Sequence, residues 1–470
     1  MNFSSITFVY YFLPLAVLLY FLVKGRTARN VVLLFASLLF YAWGEGYLIV
    51  LLLGSIGFNH WIAKGIETQR QAGKRSGVWW LTGGVATNLV FLIVFKYLGL
   101  LSELLEPLGV PRLNVHLPLG ISFFTFQAIS MIVDVYRGTK PAKSILRTGL
   151  FIAMFPQLIA GPIVRFNEIR AQIEDRNENF DRFAQGVKIF VIGLSQKVLI
   201  ADILSGPADA AFGQLPAELG LVAAWFGLIC FSLQIYYDFA GYSNMAIGLG
   251  RFFGFELPKN FAHPYSASSF REFWRRWHMT LSRWFKDYLY IPLGGSRLGS
   301  ARTYRNLLIV FVLVGIWHGA AWTFALWGLW HGVFLIIERL CPRLPLPGKI
   351  AKPLGMIYVG VFVSLGWVLF RADDMQHALG YWRALLGMND PMVSIPLEVE
   401  PLVMLVFICG FLLAWDGWEN VWKRSTNKFG VRSKAVILPS AVWGSIAGLY
   451  LLSFIVMASN THQPFLYFRF

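Results

Sequence analysis

Two histidines stand where an ionisable side chain is costly: His278 in Phe273-Trp274-Arg275-Arg276-Trp277-His278, and His318 in Gly315-Ile316-Trp317-His318-Gly319. Imidazole titrates near neutral pH and can take a hydroxyl or thiol proton as an acyl group moves, so both are candidate general bases. Small residues around His318 leave room for a substrate to approach. His278 borders an apolar stripe, next to Trp277 and one turn from Trp274 and Leu281, which aims it at a protein interior. A satisfied structural histidine is the plainer reading of each. Trp330-His331-Gly332 repeats the pattern thirteen residues after His318. On one continuous helix about 220° of rotation and roughly 20 Å of rise would part the two rings, so no metal pair is expected there. Cys230, Cys341 and Cys409 offer neither a zinc spacing nor a disulfide framework.

Further polar residues lie among aromatics between Gln234 and Gly319, and intramembrane polar groups are usually functional. Asp238, Ser243 and Asn244, in Tyr236-Tyr237-Asp238-Phe239-Ala240-Gly241-Tyr242-Ser243-Asn244, suit hydrogen bonds between helices as readily as catalysis. Ser243 lacks the G-x-S-x-G frame of a nucleophile elbow. From Ser268 to Pro292, Phe270, Phe273, Trp274, Trp277, Leu281, Trp284, Phe285 and Tyr288 recur at helical steps. Arg271, Arg275, Arg276, Arg283 and Lys286 fall mostly on the other side, which predicts one basic amphipathic helix at the cytoplasmic surface. Its Trp and Arg side chains anchor such a helix among headgroups, and its arginines can also hold the phosphates of a soluble donor. Arg271, Arg275, Arg276 and Arg283, with Trp277 and Asn260 beside them, are the candidate donor-binding residues. The tail Gln463-Pro464-Phe465-Leu466-Tyr467-Phe468-Arg469-Phe470 sets one phenol among three phenylalanines. An aromatic belt at the membrane interface explains it plainly. The Tyr467 hydroxyl also has an ordinary pKa of about 10, within reach of activation by a base.

The elements that must position these residues follow from composition. Of 470 residues 56% are hydrophobic and 14% charged, with 18 Trp and 41 Phe, which excludes a conventional soluble enzyme. The chain reads as an all-α polytopic membrane protein. Apolar runs predict spans near 5–23, 31–44, 48–63, 78–100, 117–136, 185–201, 219–240, 305–319, 320–338, 353–371, 401–416 and 435–457. The segment 145–165, interrupted by Pro156, Gly161 and Pro162, is expected to be re-entrant. Basic residues in alternate loops, such as Lys24, Arg26 and Arg29, mark the cytoplasmic side, and acidic ones, among them Asp202, Asp209 and Glu218, suit the outside. Both termini are expected outside. The net charge of +16 fits cytoplasmic loops facing anionic headgroups, and nucleic acid is not needed to explain it.

The chain resembles the membrane-bound O-acyltransferase superfamily, and within it the bacterial alginate and cellulose O-acetylation branch. The likeness rests on Leu117-Pro118-Leu119-Gly120-Ile121-Ser122-Phe123, Pro156-Gln157 with Gly161-Pro162-Ile163, and Tyr237-Asp238-Phe239-Ala240-Gly241-Tyr242-Ser243. It continues through Pro258-Lys259-Asn260-Phe261, Phe273 to His278, Tyr290-Ile291-Pro292-Leu293-Gly294-Gly295, Trp317-His318-Gly319 and Phe465-Leu466-Tyr467-Phe468. It implies a single membrane domain over 1–470, with the aromatic tail at 459–470. The expected architecture is a ring of about 11–12 transmembrane helices, with re-entrant and interfacial helices around a central tunnel. His318 is implied as the main catalytic residue, His278 as the second, and Tyr467 as an acyl carrier. Acetyl-coenzyme A is the implied donor, with no metal. The implied partners are a periplasmic SGNH or esterase-like acetyltransferase and an exopolysaccharide synthesis complex, and the implied setting is the lipid of the bacterial inner membrane. The competing reading is a transporter or exporter of a polymer or acyl donor, but the unusual segments cluster asymmetrically instead of recurring in two halves. A scaffold would leave both histidines without work.

Overall fold

A computed structural model describes residues 2–113, 115–341, 347–389, 399–417 and 438–459. Every regular element among them is helical, because lipid offers backbone groups no water and helices satisfy their own. The chain forms two compact units, Met1–Phe190 with Tyr242–Lys259, and Val191–Gly241 with Asn260–Phe470.

The first unit holds α1 (Leu13–Leu22), α2 (Arg26–Glu45), α3 (Ile49–Gln71), α4 (Gly77–Leu105), α5 (Ile121–Tyr136), α6 (Ile145–Ala153), α7 (Phe155–Leu158) and α8 (Phe166–Glu174). The start of α9 (Phe180–Ser195) belongs to it as well. The segment expected to be interrupted is broken at Met154, between α6 and α7, and residues 148–164 are all buried. Ser37 Oγ accepts the Phe155 N–H at 3.0 Å, so the break leaves that donor satisfied. Gly120, at φ 73°, sits where a Cβ would come 2.7 Å from the Leu158 carbonyl oxygen; the Leu-Pro-Leu-Gly run is therefore a packing requirement against α7. Arg26 and Arg29, read as loop charges, both pair with Glu178, which also accepts from Tyr20 Oη at 2.5 Å.

The second unit contains α10 (Asp202–Gly213), most of α11 (Leu221–Phe252), α12 (Phe270–Arg276), α13 (Met279–Phe285), α14 (Ser300–His318), α15 (Trp322–Leu340) and α16 (Gly348–Arg371). It closes with α17 (Met375–Leu385), α18 (Pro401–Leu413) and α19 (Leu438–Ser459). Each expected span overlaps a helix among the described residues. Five helical stretches, Arg26–Gln71, Gly77–Leu108, Leu221–Phe252, Gly348–Arg371 and Ser440–Ser459, are long and apolar enough to cross a membrane.

Three expectations are corrected. The single helix over 268–292 is α12, a break at Trp277–His278, α13 and a wide π turn over Lys286–Tyr290. Its aromatic face lies in the protein: Phe270, Phe273, Trp277 and Leu281 are at most 1% exposed. His318 and His331 are not on one continuous helix, because α14 ends at His318 and α15 starts at Trp322. Asp202 lies in helix α10, not in an outer loop, and pairs with a buried lysine.

Candidate functional site

His278 sits at a backbone position that L-residues avoid, with φ 40° and ψ 53°. That conformation costs about 1–2 kcal/mol and needs surrounding bonds to hold it. The bonds come from a segment eighteen residues upstream: Ala262 N–H donates to the Arg276 carbonyl and Met279 N–H to the Asn260 carbonyl, each at 2.9 Å. The Asn260 side chain completes the clamp. Its Oδ1 accepts from Thr280 N at 3.2 Å and Thr280 Oγ1 at 2.9 Å, and stands 3.2 Å from His278 Nδ1.

This arrangement selects a tautomer. A backbone N–H only donates, so the Asn260 atom facing it is the carbonyl oxygen, which only accepts. His278 Nδ1 therefore carries the proton, and Nε2 presents its lone pair, with no hydrogen-bond partner among the described residues. Burial pushes the imidazole well below its usual range, to about 3, which keeps the ring neutral.

His318 ends α14 and is 4% exposed. Its ring centroid lies 6.3 Å from that of His278, at 63°. Trp317 is 6.0 Å from His278 and 4.9 Å from His318, so the two imidazoles share one indole neighbour. Trp327 and Phe370 stand edge-on to His318 at 5.1 and 5.4 Å, and Phe239 stands edge-on to His278 at 4.6 Å. The two imidazoles thus lie close together among buried aromatic rings, where electrostatic interactions are stronger than in water.

The α14–α15 hairpin that carries His318 closes on glycines. A Cβ at Gly315 would lie 2.1 Å from the Phe324 carbonyl oxygen, and one at Gly328 would lie 2.1 Å from that of Phe311. Only glycines allow the backbones this near. His331 belongs to the same aromatic stack, 4.9 Å from Trp327, and its Nδ1 accepts from Trp274 Nε1 at 3.3 Å.

The arginines divide. Arg271 and Arg275 are exposed one turn apart on α12, and Arg283 is half-buried on α13. Arg276 is engaged inside the unit by Glu272 Oε1 at 2.7 Å and Asp416 Oδ2 at 3.0 Å. Trp277 is fully buried against Trp367 at 4.9 Å. A cavity of about 410 Å³ opens beside Tyr265, Val361 and Phe411, and none of the described candidate residues lines it. Among the described residues no three His, Cys, Asp or Glu side chains converge to hold a metal ion. Tyr467, most of the 459–470 tail, and the basic residues Lys423, Arg424, Lys428, Arg432 and Lys434 lie outside the described residues.

Sequence reasoning missed Thr280, which shares the Asn260 oxygen, and Glu338, which accepts from Phe270 N at 2.5 Å and Arg271 N at 3.2 Å and so caps α12. It also missed Trp327, the ring between His318 and His331. Glu338 carried a signal, an acid in the last turn of an apolar helix where acids are unfavourable.

Residues 143–345 match the model of the membrane-bound O-acyltransferase family. That stretch includes His278, His318 and Asn260. Over the full length of both chains the sequence is 38% identical to a protein of Azotobacter vinelandii named "probable alginate O-acetylase". It is 38% identical to the peptidoglycan O-acetyltransferase of Helicobacter pylori, covering 82% of this chain and 80% of that one. It is 29% identical to the teichoic acid D-alanyltransferase of Streptococcus thermophilus, over 54% of this chain and 68% of that one.

Proposed function

The chain belongs to the membrane-bound O-acyltransferase family and is a multi-pass membrane O-acetyltransferase, and from that premise we propose that it draws acetyl groups from cytoplasmic acetyl-coenzyme A and passes them across the bacterial inner membrane. The receiver is a periplasmic esterase-like partner, which sets them on hydroxyls of an exopolysaccharide. Alginate comes before cellulose because relatives of this chain are named for alginate acetylation. The observation that carries the reading is the pair of buried imidazoles, 6.3 Å apart, with the Nε2 lone pair of His278 set by Asn260.

The chemistry balances without an outside reactant. A hydroxyl gives its proton to an imidazole nitrogen as its oxygen attacks the thioester carbonyl; the C–S bond breaks, the C–O ester forms, and the imidazolium returns the proton to the leaving thiolate. His318 is assigned as the base for the attacking hydroxyl, with His278 as its partner in proton handling. Arg271 and Arg275, exposed on α12, are assigned to the phosphates of the donor; Arg283 joins them from α13. Asn260 and Arg276 support the site from inside. Tyr467 is assigned as the hydroxyl that first receives the acetyl group, so one long transfer becomes two short ones.

Sealed membrane vesicles of defined sidedness test the direction. Radiolabelled acetyl-coenzyme A added to inside-out vesicles should give protein- or polymer-bound label, and the same donor added to right-side-out vesicles should give none. Equal labelling of both would refute a cytoplasmic donor.

A further inference from the structure

We propose that Lys197 and Asp238 are a positioning pair for acetyl transfer: their ion pair fixes the register of α11 and thereby holds the Phe239 ring against His278. The inference rests on the role given to His278 above.

Lys197 lies in a π turn, Gln196–Ala201, that joins α9 to α10. A π turn carries an extra residue and re-aims side chains relative to a regular helix. Its Nζ stands 2.8 Å from Asp238 Oδ1 and 2.5 Å from Asp202 Oδ1. The Lys197 and Asp238 side chains are 3% and 2% exposed. Burying such a pair costs desolvation that its attraction repays poorly, and the best-attested use of one is to fix registry.

The surroundings show a register to be fixed. A Cβ at Gly241 would lie 2.6 Å from the Gly193 carbonyl oxygen and 3.0 Å from the Lys197 backbone nitrogen, so α11 lies directly on the π turn. Tyr237 Oη donates to the Gly410 carbonyl at 2.7 Å, which ties the same turn of α11 to α18. Successive helical residues diverge by about 100°, so one turn can aim Asp238 at the lysine and Phe239 at the site. Phe239 meets the His278 ring at 4.6 Å and 89°, and Phe261 at 5.0 Å. Ring rotation in His278 that would take Nδ1 off Asn260 has to displace Phe239. A slip or rotation of α11 removes that stop.

The test uses the full-length chain in native membranes, with initial rates of label transfer from radiolabelled acetyl-coenzyme A and protein amount read from a fluorescent tag. Lys197→Met should lower kcat by about tenfold or more and leave KM for acetyl-coenzyme A within about twofold, because orientation and not donor binding is lost. The double variant Lys197→Met with Asp238→Leu removes the two most deeply buried charges together and leaves only the partly exposed Asp202 without its partner, so it keeps the protein folded where the single variant does not; it should show the same fall in kcat. Phe239→Leu should also lower kcat, and adding Lys197→Met to it should cost no more than about twofold further, since both act through one ring. Wild-type kcat in the Lys197→Met, Asp238→Leu protein, or losses that multiply in the combined Lys197→Met, Phe239→Leu protein, would overturn the inference. His278→Ala run beside them separates the two levels of the account. If it transfers label at the wild-type rate, the role of His278 fails; if it is inactive while the uncharged pair is fully active, only the positioning role fails.

Discussion

Replacing Asn260 by leucine keeps the volume of the side chain and removes the one oxygen on which His278 Nδ1, Thr280 N and Thr280 Oγ1 converge. The threonine hydroxyl can turn to another acceptor. The other two donors are fixed and buried, and each orphan costs about 1–3 kcal/mol, or about 2–6 kcal/mol for both. His278 can shed its share by moving the proton from Nδ1 to Nε2. That relief turns the lone pair facing the site into a donor and removes His278 as the proton-accepting partner of His318. Asn260→Leu should therefore lower thermal stability by the backbone share, about 1–3 kcal/mol, while acetyl transfer falls by the general-base contribution, about a hundredfold or more. Asn260→Asp separates the two effects. A carboxylate still accepts all three bonds, but its charge favours the imidazolium and raises the His278 pKa from the low value that burial imposes. Activity that needs the neutral ring is then lost as pH falls through the raised value and regained at higher pH, whereas the wild type shows no such limb near neutrality. The assay is the initial rate of label transfer from acetyl-coenzyme A in washed membranes across a pH series, normalised to tagged protein, with melting followed by size-exclusion fluorescence. A wild-type rate in Asn260→Leu, or an unshifted pH profile in Asn260→Asp, would refute the tautomer argument.

Gly315→Ala places a Cβ 2.1 Å from a backbone oxygen of the facing helix, so it should force α14 from α15 and lower the melting temperature, by overpacking worth about 1–3 kcal/mol. Replacing Arg271 and Arg275 together by alanine should raise KM for acetyl-coenzyme A with little change in kcat; Arg276→Ala, which breaks bonds to Glu272 and Asp416, should instead appear as lost stability in the same melting assay. Tyr467→Phe should stop polymer acetylation without reducing the amount of membrane protein, as measured by ester-linked acetate released from the polymer with mild alkali.

The helices were legible because lipid exposure writes long apolar runs into a chain, and each expected span overlaps a helix among the described residues. The histidines were legible too, since an imidazole between tryptophans and glycines has few neighbours that excuse it. What the pattern could not carry is contact between distant residues. The aromatic period from Phe270 to Tyr288 suits one helix, yet the backbone turns left-handed at His278, held by bonds from Asn260 and Ala262. Local propensity loses there to tertiary hydrogen bonds. Lys197 stands in an apolar run of the sequence, and nothing local ties it to Asp238, which meets it from far along the chain. The boundary between the spans 305–319 and 320–338 was legible, but not how closely the two helices pack, because the glycines that let α14 and α15 touch are thirteen residues apart.

The measurement that bears most directly on the central claim is acetyl transfer by His318→Ala and His278→Ala chains present in the membrane at wild-type abundance and melting temperature. With the donor saturating, the account predicts no transfer above background for His318→Ala and a severe loss for His278→Ala. Transfer by His318→Ala at the wild-type rate would contradict it, and would place the chemistry outside the imidazole pair.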